Sequence, residues 1–264
     1  MDGQREDAVL IAEQRGAVRY LTLDRPEVLN ALNASVFTAL EEQLARISSD
    51  PATRTVVITG AGDRAFSAGA DLDELTGLDP VDRRALLERG QRIFRSLETL
   101  GIPVIAAVNG YALGGGFEVA LACTLIVAAE SARFGLPEVG LGLIPGYGGT
   151  QRLPRAVGSR AALGMMLTGE QIDAARADEL GILSQPPVPD DDLLEVVGSL
   201  ADSISGKSPR AASLILKSVG YADGLDASLA HETTLAALAA ASGDAEEGIA
   251  AFREKRTPRF EGPR

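Results

Sequence analysis

The sequence predicts an α/β fold followed by a C-terminal helical region. Short β-branched runs alternate with segments of helical periodicity over the first 150 residues or so. Beyond a proline-rich connector, Gln185-Pro-Pro-Val-Pro, the pattern is helical without intervening strands. A length of 264 residues is sufficient for one large core. We therefore predict an α/β core over residues 1–190 and a helical region over residues 191–264.

The N-terminal elements follow from local patterns. Residues 9–13 and 18–23 are β-branched runs separated by Gln14-Arg-Gly-Ala, which predicts a hairpin. Apolar residues recur at helical spacing through residues 35–47, with Ser35 as the predicted N-cap. Residues 55–60 form an apolar run typical of a buried strand that follows a helix.

The same alternation continues towards the C-terminus. Strands are predicted at residues 104–108 and 125–129. The predicted helices of the core and of the C-terminal region span residues 82–100, 115–122, 150–157, 161–167, 174–180, 193–204, 209–219, 227–241 and 246–252. The C-terminal helices carry alanine-rich faces, which favour close packing on the core or on another subunit.

Composition excludes several classes of function. The net charge is −12, and only three of the 25 basic residues are lysines, so a nucleic-acid-binding surface is not expected. The N-terminus lacks the basic start and apolar stretch of a signal peptide, which predicts a cytoplasmic location. The apolar region 102–129 is interrupted by Pro103, Asn109 and Glu118, so a membrane span is not expected.

The reactive side chains are few. One cysteine cannot form an internal disulfide, and one histidine leaves no material for a zinc site or a Ser-His-Asp triad. We therefore expect no metal, and we expect carboxylates to carry any acid/base chemistry.

A glycine cluster between a predicted strand and a predicted helix has three interpretations. Gly110, Gly114 and Gly116, with Glu130 ending the next strand, imitate a dinucleotide-binding fingerprint. Tight packing of strand on helix explains the same glycines. Alternatively, the cluster and a second small-residue turn, Ala65-Phe-Ser-Ala-Gly-Ala-Asp71, present two backbone N–H groups to one carbonyl oxygen. No tyrosine is followed four residues later by lysine, which argues against a common class of NAD(P)-dependent oxidoreductases.

Two glutamates lie in apolar surroundings near these turns. Glu118 follows Gly115 by one helical turn, so its carboxylate is expected on the side of the glycine turn. Glu138 is a lone carboxylate in a loop rich in glycine and proline. A solvated helix residue and a turn cap are the alternative interpretations. Desolvation in an apolar site would raise the pKa of a carboxyl group and suit it to acid/base work.

Several ordered motifs resemble the enoyl-CoA hydratase/isomerase (crotonase) superfamily, and hydratases within it most closely. They cover nearly the whole chain: Asp24-Arg-Pro, Asn30-Ala-Leu-Asn, Phe66-Ser-Ala-Gly-Ala-Asp, Ala107-Val-Asn-Gly-Tyr-Ala-Leu-Gly-Gly-Gly-Phe-Glu, Phe134-Gly-Leu-Pro-Glu, Gly142-Leu-Ile-Pro-Gly-Tyr-Gly-Gly-Thr-Gln-Arg-Leu, Leu167-Thr-Gly-Glu and Glu247-Gly-Ile-Ala-Ala-Phe-Arg-Glu-Lys-Arg. The resemblance implies a crotonase-like spiral of repeated ββα units with a C-terminal helical region used in trimer or hexamer assembly. It also displaces the dinucleotide interpretation.

The resemblance also implies a function. The product would be a 3-hydroxyacyl-CoA made from a trans-2-enoyl-CoA, with Glu118 activating water and Glu138 exchanging the proton at C2. The N–H groups of Ala70 and Gly115 would form the oxyanion hole. No metal or redox cofactor is implied, because coenzyme A is part of the substrate. Isomerisation, other thioester chemistry and noncatalytic binding of acyl-CoA or a protein are the alternatives.

Substrate contacts follow from the same resemblance. The matching positions are Ala68, Asp71, Leu72, Gly114 and Lys255. Lys255 corresponds to a residue that reaches a CoA phosphate across a subunit boundary in some relatives. Asp71-Leu-Asp-Glu departs from many hydratases, which carry a basic residue shortly after the aspartate.

Overall fold

The computed structural model of the protein describes residues 8–75, 77–220 and 224–260. The strands are β1 (Leu10–Arg15), β2 (Val18–Leu23), β3 (Thr55–Gly60), β4 (Ala65–Ser67), β5 (Val104–Val108), β6 (Tyr111–Leu113), β7 (Leu125–Ala128), β8 (Arg133–Gly135) and β9 (Ile172–Asp173). The helices are α1 (Ala34–Ser49), α2 (Leu72–Leu75), α3 (Pro80–Thr99), α4 (Gly115–Ala122), α5 (Gly149–Val157), α6 (Ser159–Thr168), α7 (Ala174–Glu179), α8 (Leu193–Ser205), α9 (Pro209–Val219), α10 (Leu225–Ala240) and α11 (Gly243–Glu254).

Two sheets run through the core. The first has the strand order β1-β2-β3-β5-β7, in which the β1–β2 hairpin is antiparallel and the other pairs are parallel. The second has the order β4-β6-β8-β9, and its first three strands are parallel. Each of the successive pairs β3–β4, β5–β6 and β7–β8 gives one strand to each sheet before the chain turns into a helix. This repeat is the predicted spiral of ββα units.

The first sheet is covered on both faces. Strands β3 and β5 are wholly buried, and their sequences, TVVITG and VIAAV, show no alternation of apolar and charged residues. One face packs against α1 and α3 in the main core. The other face packs against α8, which contributes Leu193, Val197 and Ala201 to a second apolar cluster with Val57 and Ile105. The first of the predicted C-terminal helices is therefore part of the described core packing.

The hairpin, the long helices and the strands of the first sheet were predicted correctly, to within a few residues at their ends. The predicted N-cap of α1 was wrong. The helix begins at Ala34, and Asn33 is the N-cap: its side chain accepts a hydrogen bond from Val36 N at 2.9 Å. Asn33 has the extended backbone that capping requires, whereas Ser35 already lies within the helix.

The individual strands of the second sheet were not predicted from local sequence patterns. Strands β4, β6 and β8 have three residues each, too few for a period of two to be recognised. Each follows a strand of the first sheet after only a few residues, so the sequence there resembles a turn. The division at residue 190 remains a prediction.

No helix in the described ranges is long and apolar enough to cross a membrane. The N-terminal residues on which the expectation of a cytoplasmic location rested, 1–7, lie outside those ranges.

Successive units approach so closely that some glycines have no room for a side chain. A β-carbon on Gly116 would lie 2.1 Å from the carbonyl oxygen of Ser67, whereas one on Gly164 in α6 would meet nothing within 4 Å. We expect Gly116→Ala to lower the free energy of unfolding by more than about 2 kcal/mol, as overpacking does. Gly164→Ala, the matched control, should raise it by up to about 1 kcal/mol through helix propensity. Urea denaturation measures both, and equal effects would contradict the packing argument.

Candidate active site

Two backbone turns meet at the C-terminal ends of two strands of the second sheet. Gly69 and Ala70 follow β4, while Gly114 and Gly115 follow β6, and the two strands pair in parallel. A β-carbon on Gly69 would lie 3.1 Å from Gly115 N, and one on Gly115 would lie 3.3 Å from Ala70 N. Gly69 and Gly114 have φ values of 103° and 49°, which favour glycine. The sequence of both turns therefore permits a direct backbone contact.

The turns place two N–H groups close together. Gly115 is the first residue of α4, where an N–H group has no partner within the helix. The chain around Ala70 is held by Leu32, which donates to Gly69 O at 2.8 Å and accepts from Asp71 N at 2.9 Å. Within the described part of the chain, neither Ala70 N nor Gly115 N has a hydrogen-bond acceptor among the observed bonds. Both N–H groups are therefore available to an acceptor, and their role as an oxyanion hole remains a prediction.

Glu118 lies deep in the protein. Its side chain projects from α4, and the residue is 1% exposed. Its Oε1 atom accepts hydrogen bonds from Tyr147 N at 2.8 Å and Gly149 N at 2.7 Å, at the start of α5. Burial raises the pKa of Glu118 to about 7; the charge of Glu138 adds to the rise, while the two N–H groups and Arg152 oppose it. The interpretation of Glu118 as a solvated helix residue is wrong.

Glu138 lies in a short 3-10 helix, Pro137–Leu141, next to the Gly114 turn. A β-carbon on Gly114 would lie 3.2 Å from its Oε1 atom. The Oε2 atom is buried and, among the described residues, has no hydrogen-bond partner. Burial raises the pKa of Glu138 as well. The two carboxyl groups with raised pKa values are therefore close enough to interact, because the charge of Glu138 contributes to the rise at Glu118.

The remaining predicted site residues differ in their positions. Ala68 adjoins the first turn and donates to Leu29 O at 2.9 Å. Asp71 accepts a hydrogen bond from Arg25 at 3.0 Å, and Leu72 is 50% exposed beside it. Gly114 forms the second turn itself. Lys255 belongs to another region, the end of α11, where its side chain is exposed.

A buried network behind the first turn was missed. The side chain of Asn30 donates to Ala61 O and Ala65 O and accepts from Arg25 N, while the residue keeps a φ of 57°. Arg25 donates to Ala31 O at 2.8 Å as well as to Asp71. Both residues lie within motifs that the sequence offers, Asp24-Arg-Pro and Asn30-Ala-Leu-Asn, but spacing alone does not reveal a support for residues 68–71.

The roles of Tyr147 and Gly149 were also missed. The available signal was the glycine run before the predicted helix at residues 150–157, because a helix start offers unpaired N–H groups. Which carboxylate those groups hold depends on a contact between residues about 30 positions apart.

The glycines of the apparent dinucleotide fingerprint are explained by packing. A β-carbon on Gly110 would lie 2.3 Å from Arg64 O, and one on Gly116 would lie 2.1 Å from Ser67 O. No group of three or more potential metal-ligating His, Cys, Asp or Glu residues was found in the described ranges.

Paired acidic side chains beside two backbone donors, on a spiral of ββα units, define a class of protein. A family model described as enoyl-CoA hydratase/isomerase matches residues 13–263, and the chain belongs to this family. The predicted resemblance to the crotonase superfamily is therefore confirmed.

Several of the similar proteins are hydratases by name. The chain is 39% identical over 257 residues to a crotonyl-CoA hydratase of Syntrophomonas wolfei, covering 97% of this chain and 98% of the relative. It is 43% identical to the 2,3-dehydroadipyl-CoA hydratase of Escherichia coli K12, covering 96% and 98%. The crystal structure of an enoyl-CoA hydratase from Bacillus anthracis is 37% identical, with a TM-score of 0.93 and coverage of 96% and 99%. The predictions of fold class and of an enzyme are confirmed by these comparisons.

The raised pKa of Glu118 predicts a specific dependence of stability on pH. Because folding raises this pKa from 4.5 to about 7, the folded state binds the proton more tightly than the unfolded state. Stability contributed by the proton is complete below about pH 4.5 and is lost as the pH rises to about 7. The loss should be about 3 kcal/mol, and Glu118→Gln should remove it.

Urea denaturation of both proteins at about pH 5 and about pH 8 measures this contribution. The wild-type free energy of unfolding should fall relative to that of Glu118→Gln between the two conditions. A difference between the proteins that stays constant with pH would contradict the raised pKa.

Proposed function

We propose that this protein hydrates trans-2-enoyl-CoA thioesters to 3-hydroxyacyl-CoA. The observation that carries the proposal is the pair Glu118 and Glu138, two largely buried carboxyl groups close enough for the charge of Glu138 to raise the pKa of Glu118, with Glu138 against the Gly114 turn that begins α4. One group can take a proton while the other gives one, as addition of water to a double bond requires. The names of the relatives support the substrate class.

The thioester would be polarised by the meeting turns. Its carbonyl oxygen accepts hydrogen bonds from Ala70 N and Gly115 N, which have no other acceptor among the observed bonds of the described residues. Withdrawal of electrons through the conjugated system makes C3 electrophilic. The two N–H groups then stabilise the negative charge that develops on the oxygen as water attacks.

The carboxyl groups move the protons. Ionised Glu118 accepts a proton from water as the water oxygen bonds to C3, and protonated Glu138 delivers a proton to C2. The product gains one water molecule in total. A pKa of about 7 for Glu118 keeps both of its protonation states accessible near neutral pH, which favours its use as an acid/base.

The remaining parts of the proposal concern binding and assembly. Ala68, Asp71, Leu72 and Gly114 lie along the two turns and are assigned to substrate contact; Lys255 is assigned to a CoA phosphate, reached from another subunit. The proposed assembly is a homotrimer or a dimer of trimers in the cytoplasm. No metal or redox cofactor takes part in the proposed steps, and no nucleic acid or membrane partner is proposed.

The assay uses crotonyl-CoA and longer trans-2-enoyl-CoAs, followed by loss of the conjugated thioester absorbance and by product analysis. A 3-hydroxyacyl-CoA supports hydration. A shifted alkene would indicate isomerisation instead, and binding without turnover at every chain length would indicate a noncatalytic acyl-CoA-binding protein.

Removing either carboxylate should abolish most of the hydration. We expect Glu118→Gln and Glu138→Gln each to lower kcat by a factor of about 10² to 10⁴, because each removes a proton-transfer group. Glu195→Gln, an exposed residue at the start of α8, is the matched control and should have wild-type kcat. Circular dichroism verifies folding. Full activity in either active-site variant would contradict the assigned pair.

The oxyanion role of the turns has its own test. A β-carbon on Gly69 would lie 2.8 Å from Leu113 O and 3.1 Å from Gly115 N, so Gly69→Ala should separate the two donors. We expect kcat to fall by a factor of about 10² to 10³. Gly62→Ala also places alanine at positive φ, but its β-carbon would be 3.6 Å from its nearest neighbour, Pro26. Equal losses of kcat in the two variants would show that backbone strain, rather than the donors, is responsible.

A further inference from the structure

Arg152 connects the acid/base site to helix α3. It lies in α5 with its side chain 15% exposed. Its Nη1 atom donates to the carbonyl oxygen of Tyr147 at 2.7 Å, and its Nε atom donates to Glu98 Oε1 at 2.7 Å. Tyr147 is one of the two residues whose N–H groups hold Glu118. The guanidinium group therefore binds the carbonyl oxygen of a residue whose N–H group donates to the proposed base.

The two hydrogen bonds of Arg152, to Glu98 and to the carbonyl oxygen of Tyr147, suit a guanidinium group. The planar guanidinium can donate in two directions at once, whereas a lysine ammonium is a point charge on a flexible stem. Gly148, between the two residues that donate to Glu118, has a φ of 112°. A β-carbon there would lie 2.2 Å from Arg152 Nη1, so only glycine allows the guanidinium to lie against this backbone.

Helix α3 holds the same loop a second time. Gln91 donates from its side chain to the carbonyl oxygen of Gly146 at 2.8 Å. That carbonyl belongs to the peptide group whose N–H, on Tyr147, donates to Glu118. Gln91 and Glu98 are seven residues apart and thus lie on one face of α3. Both attachments of the loop 146–149 to α3 come from this face.

Arg152 also acts on Glu118 through its charge. The charged groups that influence the pKa of Glu118 are Glu138, which raises it, and Arg152, which lowers it. Tyr147 and Gly149 contribute uncharged N–H donors. The pKa of Glu98 is lowered, against the effect of burial, by its hydrogen bonds with Arg152 and Arg95, so Glu98 is a stable anionic anchor near neutral pH.

We propose that Arg152, anchored by Glu98, is a positioning residue that fixes the Tyr147 and Gly149 N–H groups on the Glu118 carboxylate. It does not contact the substrate in this proposal. The kinetic test of this role rests on the proposed hydration, whereas the effect of Arg152 on the ionisation of Glu118 does not. A solely stabilising ion pair is the alternative, and it predicts a loss of stability without a specific change at Glu118.

The experiment compares Arg152→Gln, Arg152→Lys and Arg95→Gln with the wild type. Arg95 is the matched control, because it donates to the other oxygen of the same Glu98 at 2.9 Å but has a 65% exposed side chain and no observed bond to the loop 146–149 within the described residues. Steady-state kinetics with crotonyl-CoA give kcat and KM across a range of pH. Urea denaturation gives the stability of each variant.

We expect Arg152→Gln to lower kcat by up to about 100-fold through misplacement of Glu118, with KM unchanged. The acidic limb of the pH profile should move to higher pH, because the positive charge that favours ionised Glu118 is lost. Arg152→Lys should return the limb towards its wild-type position without restoring kcat fully. Arg95→Gln should change neither. A folded Arg152→Gln variant with wild-type kcat and pH profile, or an equal change in Arg95→Gln, would overturn the proposal.

An activity-independent readout separates this proposal from the proposed function. Infrared difference spectroscopy follows the protonation of the carboxyl band that Glu118→Gln removes, with no substrate present. If wild-type protein hydrates no enoyl-CoA, the proposed function fails, yet an upward shift of this titration in Arg152→Gln alone still supports control of Glu118 by Arg152. An unchanged titration overturns it. If Arg152→Gln does not fold, Glu98→Gln, which keeps the arginine, should lower kcat more than Arg95→Gln does, and equal effects overturn the proposal.

Discussion

The close approach of successive ββα units underlies the rest of the structure. The turn after β4 and the turn after β6 touch through their backbones, and the start of α4 lies against Ser67 with no space for a β-carbon on Gly116. This contact brings two N–H groups together just after the C-terminal ends of the parallel strands β4 and β6. It also fixes the start of α4, and therefore the direction in which Glu118 projects one turn later. The positions of the site's N–H groups and of Glu118 therefore depend on the packing of the main chain.

The second constraint is the cost of burying a carboxylate. An isolated charge is unfavourable in an apolar interior, so a buried carboxyl group is protonated or paired with donors. Two N–H groups at the start of α5 supply partial compensation for Glu118, and its pKa still rises to about 7. Full compensation would leave a permanently ionised group, and none would leave a neutral one. The observed balance suits a group that must change its protonation state near neutral pH.

Sequence patterns predicted the elements that are long enough to show a continuous apolar run or a helical period. Strand β5 is an unbroken apolar run, β3 has three apolar residues between two threonines, and α1 repeats its apolar residues every three or four positions, so each element can be recognised within a short window. Strands β4, β6 and β8 do not, because three residues paired with distant partners carry no period. The cap of α1 was missed for a similar reason: Ser35 and Asn33 are both good caps, and the backbone angles that distinguish them are not visible in the sequence.

The candidate site was predictable in its parts but not in its supports. Glu118, Glu138 and the turns at Ala70 and Gly115 were predicted because carboxylates in apolar segments and clustered glycines are unusual, and because their order resembles a known family. That the two carboxyl groups interact was not derivable from local patterns, since they are 20 residues apart and belong to different units.

The supports are two groups of residues that are separate in the sequence. Arg25 and Asn30 hold the turn at Ala70 from the N-terminal side, through bonds to Asp71, Ala61 and Ala65. Arg152 and helix α3 hold the loop 146–149, whose N–H groups bind Glu118. The turn at Ala70 and the N–H donors to Glu118 are thus held by separate sets of hydrogen bonds. The proposed binding of a thioester carbonyl and the ionisation of Glu118 therefore depend on different supporting residues.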